Sequence, residues 1–355
     1  MSHDEPHLKS QRKPDIETEV VRAAEMRFGD GSFPVLAGPG AVESVDQIMT
    51  VARAVGEAGG AVVRSATFLP PELAGDFTPL GAEGLWLLEH ASRGTGLATS
   101  TFAFTATEAS LASNHVDLIE IGPSRMHDRN LLIAAGETTK PAIVHRAAGA
   151  TVDEWLRSAE TVTVAGGTVI LCERGSEGHD PRTAGTIDIS AVAVVQQLSN
   201  LPVLVNPAPL VGSLDLIAPL ALAARIAGAD GLMVAVHNQP DRAQFRAGGH
   251  LGLEAFAVLM DHLGIPSLRD DIDRIDRELL KLLARRLSNS VSIGIIKASK
   301  NLAMESLDRE AELIAEARRD ADEIGLDPDY VEDLMRVVLH HSKAAQVRAL
   351  GERDP

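Results

Sequence analysis

A lysine and several arginines near the C-terminus are the residues whose types and spacing most plainly suggest chemistry. From Leu268 to Lys300 the chain reads LRDDIDRIDRELLKLLARRLSNSVSIGIIKASK, with apolar residues at Leu268, Ile272, Ile275, Leu279, Leu282, Ile293 and Ile296. This near-heptad rhythm predicts one helix with an apolar stripe. About 33 residues at ~1.5 Å each make it ~50 Å long, more than a compact domain usually covers, so it needs a partner along its length. Arg286 takes a core-type position in the stripe, and Lys297 follows three turns later on nearly the same face. Read singly, each is a long basic stem lying on apolar neighbours with its head in water. Read with the helices that follow, they form an anion pocket inside a helical bundle.

Those helices are expected over Leu307–Asp322, behind a Ser306 N-cap with Asp308 and Glu310 in the first turn, and over Tyr330–Leu350, started by Pro328 after the break GLDPD. Ser342 and Gln346 lie four apart, hence on one face of the last helix. The region from Ser267 to Leu350 resembles the all-helical chorismate mutase family: Arg269 in LRDDID, Arg286 in LLARRL, Lys297 in GIIKASK, Arg309 and Glu310 in LDREAEL, Ser342 and Gln346 in HHSKAAQ. It departs at Ser306, where that family usually has Asp.

The resemblance implies rearrangement of chorismate to prephenate. This is a pericyclic step that needs no nucleophile, metal or cofactor, only a compact bound conformer and positive charge facing the breaking ether oxygen. By the same resemblance, Arg269 and Arg286 clamp carboxylates, for which guanidinium forks are suited. Lys297 and Gln346 face the ether oxygen, Glu310 with the Ser306 region holds the ring hydroxyl, and Arg309 and Ser342 support the site. Arg269 and Arg286 are ~25 Å apart along one helix and cannot both reach one small acid. The resemblance implies an interlocked dimer like that family's, in which an antiparallel partner delivers Arg269 to the opposite chain's site, so a homodimer or higher homo-oligomer through the helical domain is expected.

The rest of the chain must be a second domain, since 355 residues exceed one typical core. A net charge of −17 argues against a nucleic-acid partner. The single cysteine, Cys172, excludes an internal disulfide framework and fits a reducing cytoplasm. No apolar run approaches a membrane span, and the polar first 30 residues hold no signal-peptide core. Aromatic residues are 3% of the chain, so the core must be aliphatic. Residues 1–30 read as a polar tail and a short amphipathic piece, Ile16–Phe28. Strands are expected at Phe33–Ala37, Ala61–Arg64, Leu97–Thr101, Asp117–Ile121, Ala142–His145, Val169–Cys172, Val203–Val205 and Gly231–Val236. Helical stretches such as Ser44–Ala58, Thr151–Val164, Asp188–Ser199 and Leu214–Ala227 separate them. The pattern indicates a (β/α)8 barrel over 31–264, with a doubly wound sheet as the alternative. AGPG at 37–40 lacks dinucleotide-binding spacing. A short linker around Gly264–Ser267 leads to the helical domain, 265–355.

Barrel sites lie at the C-terminal ends of strands. There LAGPGAVES, IGPSRMHDRNLL, TVDEWLRSAE, LCERG, TIDISAV, LPVLVNP and AGADGLMVAVH resemble, in order, the short β-type class of 3-deoxy-D-arabino-heptulosonate 7-phosphate (DAHP) synthases. That family condenses phosphoenolpyruvate with erythrose 4-phosphate on a divalent metal held by Cys, His, Glu and Asp. At those four positions this chain has Gly40, Pro209, Ala235 and Arg246, none an ordinary side-chain ligand. Its phosphate-binding stretch is Leu69-Pro70-Pro71-Glu72, and Ser124, His145 and Ala184 replace further cations. No metal and no DAHP formation are expected.

Arg64, His145, Arg146, Arg174 and His237 remain as barrel-mouth candidates. Each also has a structural reading: Arg174 pairing with Glu173 or capping the barrel mouth, His145 a buried hydrogen-bonded histidine, and Cys172 core packing. His127, His145, His179 and His237 fit no zinc spacing. The expected function is a chorismate mutase on a barrel that serves as scaffold or regulator, with an aromatic effector or an authentic DAHP synthase as possible partners. The alternatives are a barrel repurposed for a metal-independent lyase or aldolase step, and a non-enzymatic regulatory partner of a DAHP synthase.

Overall fold

The computed structural model describes residues 11–12, 18–177, 185–207, 214–300 and 307–351. Eight short runs of mostly aliphatic residues become the strands β1 (Val35–Gly38), β2 (Val62–Arg64), β3 (Ala98–Ala103), β4 (Leu118–Ile121), β5 (Ala142–His145), β6 (Val169–Glu173), β7 (Val203–Val205) and β8 (Gly231–Ala235). Each pairs in parallel with the next, and β8 closes on β1 with Leu232 opposite Val35. The fold is a (β/α)8 barrel and not a doubly wound sheet, with helices between strands as the sequence predicts. The local chemistry is visible at the helix starts. Ser44 caps Val45–Glu57 by accepting from the Gln47 N–H, and Thr151 with Glu154 closes a capping box on Val152–Val164. On that second helix Trp155 is fully buried and its indole N–H donates to the Val144 carbonyl at 2.9 Å.

Side chains alternate in and out along each strand, so the barrel interior is built in levels. The lowest takes one apolar residue from every strand: Leu36, Val62, Ala98, Leu118, Ile143, Ile170, Leu204 and Met233, all nearly or fully buried in one cluster. The stretch expected to be amphipathic over Ile16–Phe28 is, in its described part, a two-stranded hairpin, Val21–Ala23 with Met26–Phe28. Its apolar period is two, and Val21, Ala23 and Phe28 close the barrel floor.

Two residues further along the strands the same inward faces turn polar. Arg64 donates through Nε and Nη2 to Glu120 Oε1 and Oε2 at 3.1 and 2.9 Å. Ser100 Oγ donates to Oε1 at 2.7 Å, and His145 Nε2 lies 3.0 Å from Oε2. Glu120 and His145 are wholly buried. Burial alone would raise the Glu120 pKa, but the Arg64 guanidinium and His145 hold it well below the usual carboxylate range. Burial pushes His145 down to about 4 despite the opposing pull of Glu120, so the imidazole is neutral and donates from Nε2.

The chain divides into two compact units at Asp271/Ile272. The helix Leu253–Ser299 continues through Gly264–Ser267, where the sequence suggests a linker. Pro266 removes one backbone donor, which weakens a helix without obliging it to end. In the second unit, Leu307–Glu323 and Pro328–Gly351 follow within two residues of expectation. Arg318 staples the turn between them by reaching Asp329 and Glu332, each at 2.7 Å.

Phe28 is 0% exposed against the barrel floor. Phe28→Ala should cost ~3–5 kcal/mol, read as a lowered urea midpoint; a change near zero would mean the hairpin is not part of the cooperative barrel. His145 sets a pH dependence. Its folded pKa of about 4 lies below the ordinary ~6.5, so the folded state binds fewer protons than the unfolded one between those values. Stability should therefore fall as pH drops from about 6.5 toward 4, and His145→Gln should flatten that decline. Equal slopes in the two proteins would assign the acid sensitivity elsewhere.

Candidate functional sites

Above the Arg64–Glu120 level the barrel opens into a cavity of about 480 Å³. Arg64, Phe102, Arg174, Phe245, Arg246 and His250 line it, together with Gly40, Leu69, Ser124, Asn206 and Ala235. Phe102 and Arg174 follow Ser100 and Cys172 by two, so alternation carries both into the mouth. Alternation also corrects one expectation: Arg174 does not pair with Glu173. Glu173 shares the outward parity of Leu171 and is taken by Arg146, whose Nη1 donates to Glu173 Oε2 at 2.9 Å and to Asp188 Oδ2 at 3.2 Å. Arg174 has no hydrogen-bond or ion-pair partner among the described residues, and burial lowers its pKa to about 10. Arg246 has its guanidinium 5.4 Å from the centre of the Phe245 ring.

The other barrel candidates do not line the cavity. His145 belongs to the Glu120 network below it, and Arg146 faces the outer layer. His237 is held at the rim, its Nδ1 accepting from the Gln239 N–H at 2.9 Å and its Nε2 3.5 Å from Glu43 Oε1. His127 lies in a separate groove with Arg129 and Glu154, and His179 lies outside the described residues. Cys172 is buried in the interior cluster, and burial raises its thiol pKa beyond the ordinary range.

Three of the four positions expected to lack metal ligands, Gly40, Ala235 and Arg246, meet at this one cavity; Pro209 and Ala184 lie outside the described residues. A Cβ at Gly40 would stand 2.9 Å from Phe245 Cδ1 and 3.0 Å from His250 Nε2, so two rings fill the space a side chain there would need. The Gly40 N–H donates to His250 Nε2 at 2.9 Å, and burial first, then His237, Arg64 and Arg246, bring His250 down to about 4. Among the described residues no three His, Cys, Asp or Glu side chains converge to hold a metal ion. A methyl, a bare backbone and a guanidinium do not fit a divalent cation. Phe102 and Glu120 were findable by counting two from an apolar inward position; Phe245 and His250, on irregular chain after β8, carry no such signal.

The second unit has a pocket of about 590 Å³. All five expected residues whose side chains are described line it: Arg286, Lys297, Glu310, Ser342 and Gln346. Arg286 Nη1 donates to Ser342 Oγ at 2.7 Å, and Ser342 donates on to the Val338 carbonyl at 2.8 Å, which fixes the guanidinium. Gln346 Nε2 donates to Ser290 O and Oγ at 2.8 and 2.9 Å. Gly294 makes room for that side chain, since a Cβ there would lie 2.9 Å from Gln346 Cγ. Glu310 Oε1 is 2.8 Å from Lys343 Nζ. Arg285, Ser290 and Lys343 also line the pocket and were not singled out from the sequence, where nothing separates them from solvated helix residues. The side chains of Arg269 and Arg309, and Ser306 altogether, lie outside the described residues. Four cations against one carboxylate suit a small dianion. Leu279, Leu280, Leu282, Ile293 and Ile296 stay exposed along the long helix.

Comparison with known proteins agrees with both halves. Residues 15–265 match the DAHP synthetase I family, and residues 268–347 match chorismate mutase type II. The chain is 33% identical over 259 residues to the phospho-2-dehydro-3-deoxyheptonate aldolase of Thermotoga maritima, covering 73% of this chain and 77% of that protein. A crystal structure of the Thermotoga maritima aldolase (DAHP synthase) superposes with a TM-score of 0.71 at 33% identity, covering 75% of this chain and 78% of that one. The T-protein of Enterobacter agglomerans is 37% identical over 82 residues, 23% of this chain and 22% of that protein. No described helix is long and apolar enough to cross a membrane. The chain belongs to the DAHP synthetase I family, with a chorismate mutase type II domain fused after its barrel.

Proposed function

We propose that the protein is a chorismate mutase whose barrel does not catalyse the metal-dependent condensation of phosphoenolpyruvate with erythrose 4-phosphate. The observation that carries the first half is the convergence of Arg286, Lys297, Glu310, Ser342 and Gln346 on one pocket. Arg286, braced by Ser342, takes a substrate carboxylate. Glu310, held by Lys343, takes the ring hydroxyl. Lys297 faces the ether oxygen, where negative charge grows as the C–O bond breaks. Both amide hydrogens of Gln346 are engaged by Ser290, so Lys297 carries most of that charge stabilisation. The second half rests on the filled space at Gly40 and on the donor chemistry of Ala235 and Arg246.

The test is a pair of assays on the full chain. Chorismate should be converted to prephenate, and no DAHP should form with Mn²⁺, Co²⁺ or Zn²⁺. Metal-stimulated loss of phosphoenolpyruvate in the presence of erythrose 4-phosphate would overturn the barrel reading. A donor aimed at developing charge contributes ~3–4 kcal/mol, so Lys297→Ala should lower kcat at least about a hundredfold, with a smaller change in KM. Near-native kcat in the folded variant would reduce Lys297 to a surface lysine.

We further propose a homodimer in which Arg269 completes the opposite chain's pocket, supported by the apolar residues exposed along Leu253–Ser299. Inactive Arg269→Ala and inactive Arg286→Ala proteins, unfolded together and refolded, should regain part of the wild-type activity. Folded mixed dimers without activity would exclude the shared site.

A further inference from the structure

Among the described residues, the barrel mouth holds more positive charge than its carboxylates balance. Arg64 is matched by Glu120 through a bidentate pair. Arg146 is matched by Glu173 and Asp188. His250 accepts a backbone N–H and is neutral. Arg174 and Arg246 remain, both lining the cavity and neither with a carboxylate partner among the described residues. This happens in a chain whose net charge is −17, where acidic partners are plentiful. For Arg174, which is partly buried, an unpaired charge at a concave site costs stability unless an anion fills the site.

The remaining walls define what that anion is attached to. Phe102, Phe104, Leu69, Leu73 and Phe245 surround the cavity, and the Phe245 ring also occupies the space beside Gly40. Ser124 and Asn206 also line the cavity, but hydroxyl groups of a sugar phosphate placed against the apolar walls would lose water without gaining partners there. A flat, unsaturated ring would instead gain ring contacts and apolar burial. The volume, about 480 Å³, is in the range of small-ligand pockets.

We propose that the barrel mouth is a metal-independent binding site for a small carboxylate carried on an aryl or cyclohexadienyl ring. The carboxylate lies between Arg174 and Arg246, and the ring lies against Phe102 and Phe245. The inference rests on the reading that the barrel does not condense sugar phosphates.

Calorimetric titration of the full-length protein with phenylpyruvate, without added metal, tests it. Arg286→Ala serves as the background that disables the helical-domain pocket. Phenylpyruvate should bind wild type and Arg286→Ala alike. Binding should weaken about tenfold or more in Arg174→Ala and likewise in Arg246→Ala, since a charged hydrogen bond is lost in each. Arg246 lies on exposed irregular chain, so that variant keeps the test open if Arg174→Ala misfolds. Phosphoenolpyruvate and inorganic phosphate should bind more weakly than phenylpyruvate, with or without Mn²⁺. The proposal is overturned by absence of phenylpyruvate binding, by its loss in Arg286→Ala, by unchanged affinity in folded mouth variants, or by phosphoenolpyruvate binding at least as tightly. Formation of DAHP by the same preparation would sink the underlying reading of the barrel, whereas failure to bind phenylpyruvate in a preparation that forms no DAHP would sink this proposal alone.

Discussion

The buried pairing of Arg64 with Glu120 is the constraint around which the barrel interior is arranged. A carboxylate with no solvent exposure is tolerable only because a guanidinium grips both its oxygens while Ser100 and a neutral His145 donate to the rest. The pair sits two residues above an apolar floor contributed by all eight strands. It therefore separates a region held by packing from a region open to a ligand. It also consumes the charge of Arg64, so that the electrostatics of the mouth are decided by Arg174 and Arg246.

The same logic of matched and unmatched charge runs through the outer layer. Arg146 and Arg174 lie near the ends of adjacent strands, yet they have opposite fates. Arg146 finds Glu173 and Asp188, while strand alternation turns Arg174 inward, where no carboxylate pairs with it among the described residues. The first is held by carboxylates and the second lines the barrel cavity.

The two domains position their pocket side chains by different means. In the helical unit the pocket side chains stand on helix faces and are braced by residues of a different helix: Arg286 by Ser342, Gln346 by Ser290 over the bare Gly294, and Glu310 by Lys343. Helical periodicity sets which face each side chain takes, and contacts between helices fix the head groups. In the barrel, position comes from strand parity and from the loop after β8, which brings Phe245, Arg246 and His250 over the mouth. There the rings of Phe245 and His250 fill the space beside Gly40.

The sequence by itself determined the periodic parts. Period-two strands and period-3.6 helices announced the closed barrel and the helical domain, because repeated apolar burial leaves its mark on every turn. Helical spacing put Arg286 and Lys297 on nearly one stripe and Ser342 and Gln346 on one face, while Glu310 and the grouping of all five were legible only through the resemblance of their motifs to the chorismate mutase family. Only the tertiary structure decided what depends on elements distant in the chain. Whether Glu173 belongs to Arg146 or Arg174 turned on strand parity. The N-terminal amphipathic piece became a hairpin because the open barrel floor needed Val21, Ala23 and Phe28. The space beside Gly40 is filled by residues over two hundred positions away, from a loop with no period to read. A contact between distant segments leaves no local pattern, because its energy is realised only when folding brings both surfaces together.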